Sequence, residues 1–181
     1  MATARFLTAT LASALVAGGG VNEMEQNPKL IVRGALVAGL YVALTLLTGN
    51  LSFGIALPGL GLVQFRAAEA LVLLPVLYPE AIWGLYLGCI AANLYGGLGP
   101  WDVFGGSAVT LLAAYFTWQL RGTRWYVLPP IVLNGFLISL YLGFIFKLPY
   151  WPTALGIMVS EAVVVLALGI PLVAALRRVR K

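Results

Sequence analysis

Only four acidic residues follow position 26: Glu69, Glu80, Asp102 and Glu161. Each lies in or at the end of a long apolar stretch, where a charge is costly and marks a candidate functional group. Arg66 precedes Glu69 by three positions, which makes the two neighbours on one face of a helix. The pair reads either as an internal ion pair or as an arginine and a carboxylate turned towards a ligand. Asp102 reads either as the N-cap of the next helix, a position that favours Asp, or as a second ligand-facing carboxylate. Its surroundings, residues 93–106, hold Asn93, Trp101 and five glycines (Gly96, Gly97, Gly99, Gly105, Gly106), an unusual composition for a helix break. Arg66, Glu69, Asn93, Asp102 and Glu161 would together converge on an outward-facing polar pocket suited to a small polar ligand. Glu80 begins another helix, where a carboxylate interacts favourably with the positive end of the dipole. Histidine is absent, which removes imidazole metal sites, Ser–His and Cys–His nucleophiles and histidine proton relays. The single cysteine, Cys89, sits in an apolar run and reads as a small core residue. Neither a metal site nor a cofactor is expected.

The elements that position these groups follow from composition. Of 181 residues, 61% are hydrophobic and 9% charged, more apolar side chain than the interior of a soluble domain of this size holds. Proline and glycine clusters divide the chain into six apolar segments, at residues 30–47, 63–77, 79–95, 102–120, 125–146 and 151–176. About 20 apolar residues span a bilayer as a helix, and only helices or closed barrels satisfy the backbone in lipid. The expected fold is therefore an all-α integral membrane bundle of six transmembrane helices, with a kink at Pro171. Residues 1–28 resemble a signal or interfacial segment, with Arg5 ahead of an apolar stretch too short to span. They are expected to be a dispensable extension to a membrane domain over residues 29–181.

The net charge of +5 is not spread as a nucleic-acid patch. Lys29 and Arg33 precede the first segment, Arg121 and Arg124 separate the fourth from the fifth, and Arg177, Arg178, Arg180 and Lys181 follow the sixth. With six spans all of these fall on one side, so both termini are expected in the cytoplasm. Glu69 and Asp102 then lie near the outer side, and no nucleic-acid partner is expected. Trp83, Trp101, Trp125 and Trp151 lie near segment ends, as in an interfacial belt. In the first segment Ala35, Gly39 and Ala43 recur every four residues and strip one helix face of bulk. That face would pack inside the bundle or dock against another membrane subunit.

The run Gln64-Phe65-Arg66-Ala67-Ala68-Glu69-Ala70-Leu71, followed by Leu74-Pro75, resembles the QueT family of S components of energy-coupling factor (ECF) transporters. So do Ala81-Ile82-Trp83-Gly84-Leu85, Gly88-Cys89, Ala92-Asn93-Leu94, Asp102-Val103-Phe104-Gly105-Gly106-Ser107 and Thr110-Leu111-Leu112-Ala113-Ala114. Leu128-Pro129-Pro130, Asn134, and Glu161 ahead of Pro171 complete a resemblance that covers nearly all of residues 30–176. Residues 1–28 and the long Gly/Pro loop 55–62 depart from it. The resemblance implies a plasma-membrane protein that captures a 7-deazaguanine queuosine precursor outside the cell. It would work with a transmembrane coupling subunit and two cytoplasmic ATPases; the chain has no Gly-x-x-x-x-Gly-Lys-Ser/Thr loop of its own. In that setting Ala35, Gly39 and Ala43 would dock on the coupling subunit. Glu69 or Asp102 would accept the paired donors of a guanine-like edge, and Phe65, Tyr95 or Trp101 would stack on the base. Asn134 joins the site on the resemblance. The alternative is a self-contained secondary transporter or channel whose buried carboxylates carry protons. An enzyme is not expected.

Overall fold

The computed structural model describes residues 27–53, 55–57, 61–97 and 99–180. The expectation for the N-terminal extension falls outside these residues, apart from its last two. Helix α1 is Pro28–Thr48. It begins where the Asn27 side chain accepts the Lys29 N–H, with Pro28 in the first turn, where the missing donor costs nothing. Then follow α2, Ala81–Tyr95, and α3, Ser107–Gln119, which a π turn over Trp101–Gly106 leads into. Two continuous helices complete the chain, α4 at Arg124–Phe146 and α5 at Tyr150–Val179. Helices α1, α4 and α5 are long and apolar enough to cross a membrane.

The second apolar segment differs from its expected form. Instead of an α-helix over 63–77 there is an irregular stretch, Gln64–Arg66, ending with Arg66 in extended conformation, and then a 3₁₀ helix over Ala67–Val76. Ala68 to Pro75 are buried without a break, so the element is wrapped on all sides, as an all-round apolar helix must be. It touches α1, α2, α3, α5 and the first turn of α4. Pro75 also interrupts α-helical hydrogen bonding. At about 2.0 Å per residue the 3₁₀ rod covers about 20 Å, and the three residues ahead of it reach at most about 10 Å further.

The Gly/Pro-rich connection before it holds the described exception to an all-helical chain. Strands β1, Ile55–Leu57, and β2, Gly61–Val63, pair antiparallel with Ile55 opposite Val63. Strand β2 rests against the first half of α5, Tyr150–Val164.

Helix α1 packs most closely on α2. Gly84 and Gly88, four apart, face Gly34, Val37, Ala38 and Tyr41, and a Cβ at Gly88 would come within 2.8 Å of the Ala38 carbonyl oxygen. This is small-residue helix packing of the kind found in membranes. Ala35, Gly39 and Ala43 take no part in it: all three are exposed, and a Cβ on Gly39 would meet nothing within 4 Å.

Further π turns occupy Asn134–Ile138 in α4 and Val165–Gly169 in α5. The second lies just ahead of Pro171, where a kink is expected, and is one of the adjustments by which a helix accommodates a missing N–H. At one end of the bundle the first and last helices meet around Tyr78. Arg33 and Arg180 lie 5.3 and 5.6 Å from its ring centre, and Arg180 donates to the Leu77 carbonyl at 2.8 Å.

Candidate functional site

Polar side chains from every long helix and from the 3₁₀ helix form a connected cluster in the interior. From α1, the Tyr41 hydroxyl donates its one proton to Glu69 Oε1 in a short hydrogen bond, and its oxygen lies 3.5 Å from Cys89 Sγ. Glu69 comes from the 3₁₀ helix, and its Oε2 accepts from Asn134 Nδ2 of α4 at 3.4 Å. On α2, Cys89 is also 3.6 Å from Thr110 Oγ1 of α3. Asn93 Nδ2 reaches Cys89 Sγ at 3.5 Å and donates to the Asp102 carbonyl oxygen at 2.8 Å. The Asp102 carboxylate accepts the Tyr141 hydroxyl of α4 at 2.8 Å. Glu161 of α5 lies against Asn134 and within electrostatic reach of both Glu69 and Arg66.

Six of the seven residues singled out from the sequence are buried here: Arg66, Glu69, Asn93, Asp102, Asn134 and Glu161 are each 4% exposed or less. Trp101 is elsewhere. It is 60% exposed and lines an open cleft of about 550 Å³ with Tyr141, Phe144 and Tyr150. Tyr141 therefore borders both the cleft and the cluster.

Two local expectations change, and a third is extended. Arg66 and Glu69 form no salt bridge, because Arg66 stands before the 3₁₀ helix in extended conformation and the helical three-residue spacing does not apply. Its Nε donates to the Ser52 carbonyl at 2.8 Å instead, while its charge acts on Glu69, Asp102 and Glu161 through space. Asp102 is not an N-cap; it lies inside the π turn, and its side chain is turned to Tyr141. Glu80 stands at the start of α2 as expected, at its N-cap, and in addition pairs with Arg33 at 3.3 Å.

Sequence reasoning missed Tyr41, Thr110 and Tyr141, and took Cys89 for a core residue only. A signal for Tyr41 exists. Val37, Tyr41 and Thr45 recur every four residues as the buried stripe of α1, and two of them carry hydroxyls within an apolar run. For Tyr141 the sequence offers nothing comparable, since its partner is 39 positions away.

The cluster is not closed on itself. Among the described residues Asn93 Oδ1, Asn134 Oδ1 and Glu161 Oε2 are buried without a hydrogen-bond partner, as are the hydroxyls of Ser107, Ser139 and Thr153. Buried polar groups are almost always satisfied, so open amide and carboxylate oxygens and hydroxyls beside three carboxylates are the chemistry of a site awaiting a polar partner. Two of its residues, Asp102 and Asn134, sit in π turns, irregularities common at functional sites. Among the described residues no group of histidine, cysteine and carboxylate ligands could hold a metal ion.

No curated protein and no solved structure matches the chain significantly. A family model described as QueT transporter, a family of transporters rather than enzymes, matches residues 31–178. The match covers most of the chain, which belongs to the QueT transporter family.

Proposed function

We propose that the protein is the substrate-binding S component of an ECF-type importer, taking up a 7-deazaguanine queuosine precursor across the plasma membrane. The observation that carries this reading is the buried cluster of Arg66, Glu69, Asn93, Asp102, Asn134 and Glu161, with acceptors left open at its centre. A 7-deazaguanine presents an N–H and an amino group side by side, and a carboxylate accepts both in charge-assisted hydrogen bonds. Tyr141 and the exposed Trp101 offer aromatic surface at the open cleft.

In this reading all six segments cross the bilayer, the buried 3₁₀ element among them; with its lead-in it matches a hydrocarbon core of about 30 Å. Both termini face the cytoplasm. The meeting of α1 and α5 around Tyr78 supports a common side for the two ends, and Lys29, Arg33, Arg121, Arg124, Arg177, Arg178 and Arg180 mark that side. The hairpin β1–β2 then covers the site from outside. The exposed face of Ala35, Gly39 and Ala43 docks on a transmembrane coupling subunit that works with two cytoplasmic ATPases; its bareness supports this, because the close contact inside the bundle uses other residues.

Mass spectrometry of small molecules co-purifying with the detergent-solubilised protein tests the ligand, with a flat deazapurine as the expected result. Reconstitution in proteoliposomes tests the class. Uptake should require the coupling subunit and ATPases, and accumulation driven by a proton or sodium gradient without them would establish a secondary transporter instead.

A further inference from the structure

The turn that joins α3 to α4 reads Arg121-Gly122-Thr123-Arg124, two cations with no acidic residue between or beside them. Arg121 is held in place. Its Nη1 donates to the Trp118 carbonyl at 2.9 Å, and its guanidinium lies 4.5 Å from the Trp118 ring centre. Since a guanidinium carries five N–H donors, most of them stay available. Thr123 fixes the turn, its hydroxyl donating to the Leu120 carbonyl and accepting the Trp125 N–H. Neither arginine meets a carboxylate among the described residues: Glu80 is taken by Arg33, and Glu69, Asp102 and Glu161 lie in the interior.

Beside this turn a groove of about 260 Å³ opens between the two helices, lined by Phe116 and Leu120 on one side and by Leu128, Pro129, Val132 and Leu133 on the other. Leu120 adjoins Arg121 in the chain and Leu128 follows Arg124 by four positions, so the arginines stand at one end of a wholly apolar slot. That combination matches a molecule with an apolar tail and an anionic head. We propose that the groove between α3 and α4 is a binding site for an anionic phospholipid, with the phosphate on Arg121 and Arg124 and an acyl chain along Phe116, Leu128 and Val132. Basic pockets between transmembrane helices take anionic headgroups, and the planar fork of arginine suits phosphate oxygens. In the orientation proposed above the site faces the cytoplasmic leaflet, which is the anionic one. It does not depend on what the buried cluster holds.

Phosphatidylglycerol and phosphatidylcholine with the same acyl chains are titrated into the detergent-solubilised full-length protein, and bound lipid is read by native mass spectrometry. One phosphatidylglycerol should bind at least about tenfold tighter than phosphatidylcholine, the scale expected from two arginines near a headgroup. In Arg121→Gln combined with Arg124→Gln the gap should close to within about threefold, whereas Arg177→Gln combined with Arg178→Gln, which removes the same charge elsewhere, should keep it. All these arginines are exposed, and an unchanged unfolding midpoint confirms that the variants fold. Val132→Trp, which fills the groove and spares both arginines, should weaken phosphatidylglycerol binding by about threefold or more. Equal affinities in the wild type would overturn the proposal and leave the groove to a helix of another membrane subunit. An equal loss of preference in both arginine pairs would overturn it in favour of net charge alone, and unchanged affinity in Val132→Trp would overturn the groove as the seat of the lipid.

Discussion

The two ends of the molecule treat charge in opposite ways. Around Tyr78, Glu80 is matched by Arg33, and Arg33 and Arg180 share one aromatic ring, with the Arg33 side chain still 53% exposed. Around Glu69, carboxylates outnumber cations, burial is nearly complete and acceptors stay open. Matched charge at a wet boundary costs little and contributes little. Unmatched charge in the interior is kept only where something else completes it. The difference teaches that the first region ties chain ends together, whereas the second is built for an occupant.

A single substitution should break both regions at once. Helix α1 carries Arg33 to one and Tyr41 to the other, and it is seated by Gly84 and Gly88 of α2. In Gly88→Leu the new side chain collides with the Ala38 backbone and the Tyr41 Cβ, 2.8 and 2.9 Å from where its own Cβ must stand. Overpacking of this kind costs about 1–3 kcal/mol, and more where backbone is the obstacle. Thermal unfolding in detergent should show a strongly lowered midpoint together with lost binding. Gly39→Leu, on the open face of the same helix, should leave both unchanged and lower only transport by the assembled complex. A lowered midpoint in Gly39→Leu would assign that face to internal packing.

Changes confined to the site should separate binding from stability. Glu69→Gln and Asp102→Asn keep size but place a donor nitrogen where an acceptor stood. Each should weaken precursor binding by about 1.5–3 kcal/mol, on the order of tenfold to a hundredfold. Glu69→Gln should be the more damaging, because both its oxygens already accept from Tyr41 and Asn134 and an amide mismatches one of them. Calorimetry on variants of unchanged helicity reads this out, and wild-type affinity in both would take the two carboxylates out of the site. Tyr41→Phe should cost less, about 1 kcal/mol, because it removes a bond that orients Glu69 and no bond to the ligand. A larger loss than in Glu69→Gln would make Tyr41 itself a ligand contact.

How much of this could be read from the sequence depends on whether the governing interaction is local. Hydropathy and punctuation located the helical segments, because burial in lipid is decided residue by residue. The rarity of charge pointed to Glu69, Asp102 and Glu161, because an apolar chain has few reasons to keep a carboxylate. Three-residue spacing misled at Arg66 and Glu69, because it presumes an α-helix and tertiary wrapping turned that stretch into an irregular lead-in and a 3₁₀ rod. Tyr41 and Tyr141 gain meaning only from partners 28 and 39 positions away, which no local pattern encodes. The stripe Ala35, Gly39, Ala43 was visible, but which small face of α1 packs inside was decided by Gly84 and Gly88 on another helix.

The smallest effect should come from the matched end. Glu80→Gln removes the partner of Arg33 while keeping the shape of the side chain. Arg33 is about half exposed and retains its place over the Tyr78 ring, so water and the aromatic face take over most of what the carboxylate supplied. Exposed ion pairs are worth about 0–1 kcal/mol, and Glu80 itself is only 5% exposed, which places the loss in the upper part of that range. The unfolding midpoint should fall slightly, and the fall should shrink as salt is raised, since screening already weakens the wild-type pair. Precursor affinity should not move, because the pair lies at the opposite end of the 3₁₀ helix from Arg66. A clear loss of binding in Glu80→Gln would show that the two ends are coupled through that buried rod, and that the division between a fastening end and a binding end is wrong.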